Sequence, residues 1–242
     1  MVGMAKIIMF GNQKGGIGKS TITILTANAL SNAGFDYKVL VIDNDVQRSI
    51  AGIREYDKEV MEEEVGKDYE FPYDVKVMTY QQLRSKIADY DKEYDFIFID
   101  TPGRIDLEQD IKKQEITKLL SFVDYVFVPF KGGALNLDST LQYAKVLLDI
   151  QALRSKNARP LNLLGLVNFY RKHAVTDKDL EEEIAYLESN TKIRFMKAKL
   201  NQYALYERID TYRSLYTKGI TSNKARKNFS IWFNEFVRII LN

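Results

Sequence analysis

Short apolar runs alternate with longer amphipathic stretches along the whole chain. The runs typical of buried strands are residues 6–10, 37–42, 75–78, 94–99, 124–129 and 161–169. Segments with helical spacing are residues 18–32, 80–91, 107–120, 137–153 and 176–188. Near-continuous apolar strands separated by helices predict an α/β fold, with a mostly parallel twisted sheet covered by helices on both faces.

Composition narrows the range of architectures. The chain has 242 residues, with 45% hydrophobic and 28% charged residues, only four prolines and no internal repeat or linker. We therefore expect one domain over residues 1–242, with C-terminal helices from about 200 to 242 packed on it. The absence of cysteine excludes disulfides, thiolate metal sites and a cysteine nucleophile. No segment has the pattern of a signal peptide or a membrane span, so we expect a cytoplasmic protein.

A glycine-rich loop follows the first predicted strand. Residues 11–21 are Gly-Asn-Gln-Lys-Gly-Gly-Ile-Gly-Lys-Ser-Thr, and they lead into a predicted helix. The general phosphate-loop pattern has glycine where this chain has Gln13, but the order of strand, loop and helix is retained. Backbone amides at a helix N-terminus bind phosphate oxygens. The predicted nucleotide-binding residues are Gly15, Gly16, Ile17, Gly18, Lys19, Ser20 and Thr21.

Each residue type in this loop suits a phosphate ligand. Lys19 is placed to reach the β- and γ-phosphates, and the Ser20 hydroxyl to bind Mg²⁺. The alternative is a flexible loop that happens to be rich in glycine and lysine, but a motif of this length is rare by chance.

Aspartates follow two of the predicted strands. Asp43 and Asp45 come after the second strand, and Asp100 ends the fourth. In a parallel sheet these carboxylates emerge at the same end as the glycine loop, where ligands bind. Mg²⁺ accepts one or two carboxylates together with water and phosphate oxygens, so we expect Asp100 to contribute to a metal site. The alternative for an aspartate after a strand is a helix N-cap.

These motifs together resemble the ParA/MinD ATPases, a P-loop NTPase family with a deviant Walker A loop. The resemblance rests on residues 14–20 with their second lysine, Lys14, and on residues 43–47, which are most similar to the ParA/Soj branch. It implies that Lys14 contacts the nucleotide of a partner subunit in an ATP sandwich homodimer, and that Asp45 orients the attacking water. It also implies that Asp43 and Asp100 hold Mg²⁺ through its water shell, and that Asn168 lies near adenine. The chain departs from the family at Val46, usually proline, and at Ser20 and Gly103.

The resemblance implies a partition ATPase that hydrolyses ATP to ADP and phosphate, with Mg²⁺. Its expected partners are nonspecific double-stranded DNA and a ParB-like centromere-binding protein, and its expected location is nucleoid-associated. The charge distribution fits a polyanion partner, because residues 191–242 contain eleven Lys and Arg against three acidic residues. The candidate DNA-binding residues are Arg208, Arg213, Lys218, Lys224, Arg226 and Lys227.

Two other functions remain open at this point. Residues 227–240 carry an aromatic face with basic flanks, which is typical of an interfacial membrane helix of the MinD type or of a helix docked on its own domain. The tyrosine-rich C-terminal region suggests a bacterial tyrosine kinase, although Lys14 argues against it. The single histidine, His173, has no second histidine for a catalytic or metal pair, and we expect it in a surface loop.

Overall fold

The strands form one parallel sheet in the part of the chain that the structure describes. This computed structural model describes residues 4–32, 34–102, 117–132, 134–154, 159–171, 179–191, 193–216 and 223–241. The strand order is β3-β2-β4-β1-β5-β6-β7, and each described strand pair is parallel. The strands are β1 (Lys6–Phe10), β2 (Val39–Asp43), β3 (Asp74–Val77), β4 (Phe96–Asp100), β5 (Tyr125–Phe130), β6 (Asn162–Val167) and β7 (Arg194–Phe195).

Helices connect these strands and end close to the predicted positions. They are α1 (Lys19–Ser31), α2 (Ser49–Glu64), α3 (Tyr80–Glu93), α4 (Ala134–Leu153), α5 (Leu180–Thr191) and α6 (Lys224–Leu241). The predicted helix at 107–120 lies mostly outside the described residues, and its residues 117–120 are helical. Two elements, α2 and β7, were not predicted from the sequence. The α/β fold with a parallel sheet is confirmed.

Helices cover both faces of the sheet. Side chains of β1 alternate between two clusters: Ile8 and Phe10 join one, whereas Ile7 and Met9 join the other. The first cluster includes residues of α1, α2 and α6, and the second includes residues of α3 and α4. Because consecutive strand residues point to opposite faces, this division places the sheet between two helical layers.

The C-terminal region packs against the first face. Residues 200–216 form one short 3₁₀ turn (Ala204–Tyr206) instead of the expected helix, and the terminal helix α6 begins at Lys224. Its aromatic face is fully buried, and the Phe236 ring lies 6.0 Å from that of Phe10 in β1. Within the described residues, none of the helices combines the length and the apolar character needed to cross a membrane.

Candidate functional site

The glycine loop adopts a conformation that requires glycine. Gly16 and Gly18 have φ angles of 70° and 87°, in the left-handed region that other residues avoid. A Cβ on Gly18 would lie 2.4 Å from Nδ2 of Asn168, so the position is also closed sterically. Gly18 is the N-cap of α1 and has no side chain to cap it, and the first turn contains no acidic residue. The positive end of the α1 dipole is therefore not balanced by a capping or acidic side chain of the first turn, and it can bind an anion.

The two residues after Gly18 direct polar groups back into the site. Lys19 is buried, and its Nζ donates to the carbonyl of Lys14 at 3.3 Å. Burial lowers the pKa of Lys19, and the nearby carboxylates of Asp100 and Asp45 oppose that shift. The Ser20 hydroxyl donates to Oδ2 of Asp100 at 2.7 Å. The structure thus places Lys19 and Ser20 beside the predicted aspartates.

Strand register aligns the predicted carboxylates. Asp43 at the end of β2 is directly opposite Asp100 at the end of β4, and β4 in turn pairs with β1, which leads into the loop. Asp45 follows two residues later and is almost fully buried, with its Oδ1 accepting from the backbone N–H of Gln47 at 3.0 Å. The carboxyl ends of three adjacent strands therefore contribute to one site.

Asp43 accepts hydrogen bonds from the start of a helix, which is the capping role that the sequence left open as an alternative to metal binding. Its Oδ2 accepts from the N–H groups of Ile50 and Ala51 at 3.0 and 2.9 Å, in the first turn of α2. Its Oδ1 accepts from the N–H of Asp45 at 3.1 Å. Asp43 thus caps α2 and shapes the loop that carries Asp45, and its contribution to a metal site remains a prediction.

Asp100 has the environment expected of a carboxylate that binds a cation. The side chain is fully buried, and its Oδ1 has no hydrogen-bond partner in the described part of the chain. Burial raises the pKa of Asp100 to about 7, and Asp43 and Asp45 add to this effect, while Ser20 and Lys19 oppose it. Among the described residues, no group of three or more His, Asp or Glu side chains could hold a metal ion by itself. The unpartnered Oδ1 of Asp100 and the nearby Ser20 hydroxyl are oxygen ligands of the kind that Mg²⁺ prefers, together with phosphate oxygens and water.

Two asparagine side chains form hydrogen bonds with the backbone of the glycine loop. Asn168, after β6, donates from Nδ2 to the carbonyl of Ile17 at 2.9 Å, so it contacts the loop itself. Its proposed contact with adenine is a separate expectation that this bond does not test. Asn12 is fully buried and bonds to the backbone of Pro129 and Lys14. Asn12 was not predicted as a site residue, because its partner Pro129 lies 117 positions away in the sequence.

The candidate DNA-binding residues differ in their exposure and in whether an acidic residue pairs with them. Arg208, Lys224 and Lys227 are exposed, and Arg226 is half-buried. Arg213 is exposed but bonded to Asp210, with 2.7 Å between Nε and Oδ2. Lys218 and His173 lie outside the described residues.

A family model decides the classification of this site. Residues 6–230 match the model described as ATPase MipZ. The chain belongs to the MipZ ATPase family. It is an ATPase of the ParA/MinD type with a P-loop NTPase fold, as the motifs indicated. No sequence among the curated proteins matches the chain.

Solved structures of similar fold cover nearly the full length of this MipZ-family chain. A plasmid partition protein from Borrelia burgdorferi is 21% identical over 97% of this chain and 99% of its own, with a TM-score of 0.61. The cell division ATPase MinD of Pyrococcus furiosus is 19% identical over 98% and 100%, with a TM-score of 0.66. McdA of Cyanothece in complex with ATP is 14% identical over 97% of both chains, with a TM-score of 0.68. At these identities the likeness shows the fold alone.

Proposed function

We propose that the protein is a partition ATPase that binds nonspecific DNA as an ATP-bound homodimer and hydrolyses ATP when a ParB-like protein stimulates it. The observation that carries the nucleotide part is the set Lys19, Ser20 and Asp100 brought together beneath a left-handed glycine loop. The partition role is supported by the resemblance to the ParA/Soj branch and by a plasmid partition protein among the similar structures.

Hydrolysis in this site requires positioning and charge neutralisation. The loop amides and Lys19 bind the phosphates, and Lys14 of a second subunit supplies another positive charge. Asp45 holds the attacking water, and the Asp43 carboxylate fixes the loop that carries Asp45. Ser20 and Asp100, with Asp43, would hold Mg²⁺, which supplies charge neutralisation at the β- and γ-phosphates. Val46, 91% exposed beside Asp45, offers apolar surface near the site for the partner subunit.

The start of α6 supports a polyanion as the ligand. Lys224, Arg226 and Lys227 lie in the first turn, whereas acidic residues are absent from that turn. Cations at the positive end of the helix dipole are unfavourable by about 0.3–1 kcal/mol each, so the helix dipole does not account for their placement. DNA phosphates would bind these side chains and offset the unfavourable interaction with the dipole, which accounts for the placement.

The proposed DNA-binding state is tested with the variant Asp45→Ala. Blocking hydrolysis should trap the ATP dimer, so the variant is expected to retain random duplex DNA in ATP but not in ADP, with binding that weakens as salt rises. Retention is measured by co-sedimentation or a filter assay, and Lys19→Ala is the control that should retain DNA in neither nucleotide. Equal retention in ATP and ADP, or none in either, contradicts the DNA-binding role.

The same experiment separates the membrane alternative. Anionic liposomes are offered to the Asp45→Ala variant under identical conditions, and no retention is expected. The physical reason is that Phe229, Trp232, Phe233 and Phe236 of α6 are buried in the core and are not presented to a lipid surface. ATP-dependent liposome retention would instead favour a MinD-like positioning ATPase.

A further inference from the structure

The side chain of Asn12 makes a set of contacts that the proposed chemistry does not yet use. Its Nδ2 donates to the carbonyl of Pro129 in β5 at 2.9 Å and approaches the hydroxyl of Thr140 in α4 at 3.4 Å. Its Oδ1 accepts from the backbone N–H of Lys14 at 3.1 Å. The side chain is fully buried, so these bonds are protected from competition with water.

The backbone of Lys14 is fixed on both sides by these contacts. Asn12 holds the peptide N–H before its Cα, and the Nζ of Lys19 bonds to the carbonyl after it at 3.3 Å. Peptide groups are planar, so hydrogen bonds to the two that flank a Cα restrict φ and ψ and with them the direction of the Cα–Cβ bond. The stem of the Lys14 side chain accordingly leaves the loop in a defined direction.

The anchor at the other end of Asn12 is rigid. Pro129 belongs to the buried strand β5, and Thr140 is a buried residue of α4. The start of the loop also fits closely against α4, because a Cβ on Gly11 would lie 2.3 Å from the hydroxyl oxygen of Tyr143. Asn12 therefore connects the backbone of Lys14 to the sheet and to α4 through hydrogen bonds.

We propose that Asn12 is a positioning residue for Lys14, setting the direction from which this lysine reaches the nucleotide of the partner subunit. The proposal rests on the proposed function, in which Lys14 acts across an ATP dimer. It assigns Asn12 a role in the hydrolysis step and in ATP-dependent dimerisation, and not in the binding of ADP by a single subunit. Misplacement of a reacting group by about 1 Å can lower a rate by about 100-fold, so the expected effect is large.

The test is a double-mutant cycle of Asn12→Ala and Lys14→Ala in the full chain. Asn12→Ala is expected to lower kcat by at least about tenfold while the Kd for ADP changes by less than about threefold. In the Lys14→Ala background it should cause little further loss, less than about twofold, because residues that act through one another are not additive. Thr140→Val, which removes the weaker partner, should shift kcat in the same direction by a smaller factor.

A control variant and thermal melts distinguish a positioning role of Asn12 from a general loss of structure. Gln142→Ala removes the 3.1 Å bond between the side chains of Gln13 and Gln142, does not alter the bonds to the backbone of Lys14, and should leave kcat unchanged. Thermal melts identify variants that fail to fold, and Thr140→Val then carries the test. A parallel loss of ADP affinity, or losses that multiply in the double variant, overturns the role of Asn12. If Lys14→Ala itself leaves kcat unchanged, the dimeric mechanism fails and Asn12 loses its role with it.

Discussion

Asp100 combines a fully buried carboxyl group with an oxygen that no described residue bonds. Its pKa rises from 3.8 to about 7 on burial, so above pH 7 the folded protein without nucleotide holds an ionised carboxylate at a cost in stability. A shift of this size corresponds to at most about 4 kcal/mol. Asp100 is thus suited to binding a cation, and it lowers the stability of the folded protein when no cation is bound.

The variant Asp100→Asn is therefore expected to affect activity and stability in opposite directions. At pH 8 without nucleotide its melting temperature should rise by several degrees, because the amide keeps the shape and removes the buried charge. Its Mg²⁺-dependent kcat should fall by about 100-fold or more. Thermal melts and ATPase assays measure the two effects, and Asp89→Asn, exposed on α3, is the control. A melting temperature equal to or below that of the original protein contradicts this account of Asp100.

Helix α2 joins the nucleotide site to the segment around Thr211. Its first turn is capped by Asp43, and its middle carries Arg54 and Asp57, both buried. Arg54 donates from Nε to the Thr211 hydroxyl at 2.7 Å, and Asp57 Oδ2 accepts from the Thr211 N–H at 2.6 Å. The Arg54 guanidinium also lies 4.3 Å from the centre of the Phe71 ring. A buried polar network of this kind is costly to leave half-formed.

Removal of one charge from this network should destabilise the whole domain. Asp57→Asn removes the buried carboxylate that accepts both Thr211 bonds and whose charge favours the Arg54 guanidinium, and the expected loss in the free energy of unfolding is about 3 kcal/mol. Urea denaturation measures it, with Glu55→Gln on the exposed side of α2 as the control, expected to stay within about 0.5 kcal/mol. A loss for Asp57→Asn no larger than that of the control would show that the network contributes nothing to stability.

The same network explains why α2 could not be predicted from the sequence. Its inward positions, 50, 54, 57 and 61, have helical spacing, but two of them are charged, so the apolar pattern is interrupted. Strand β7, with two residues, is too short to show a pattern at all. The central strands could be predicted because burial on both faces makes them continuously apolar, as in β4.

The candidate site follows the same division. The loop and the three aspartates could be predicted, because local motifs and a parallel sheet suffice to place them together. The capping role of Asp43 depends on α2, and the role of Asn12 depends on Pro129 and Thr140, which are distant in sequence. Contacts of that kind arise only once the chain is folded.

At the scale of the molecule, charge is divided between neighbouring regions. Residues 55–70 are strongly acidic, whereas residues 191–242 carry a net charge of about +8. The two regions meet where Thr211 bonds to Arg54 and Asp57 of α2. Arg213, two residues from this junction, is already paired with Asp210. Tyr206, two residues before Arg208, donates its hydroxyl to the carbonyl of Ala225 at the start of α6. We therefore expect DNA to approach the exposed cations Arg208, Lys224 and Lys227, and not Arg213.

This arrangement ranks the basic residues by their expected contribution to DNA binding. Neutralising Arg208, Lys224 or Lys227 to alanine should each reduce the slope of log Kd against log salt by about one, as for a lost phosphate contact. Arg213→Ala should reduce it by clearly less, because Asp210 already balances that charge. The slopes are measured for random duplex DNA in ATP, in the Asp45→Ala background that blocks hydrolysis. Lys92→Ala, exposed at the end of α3, is the control. A larger effect for Arg213 than for Lys224 and Lys227 would place DNA on the acidic side and contradict the proposed approach.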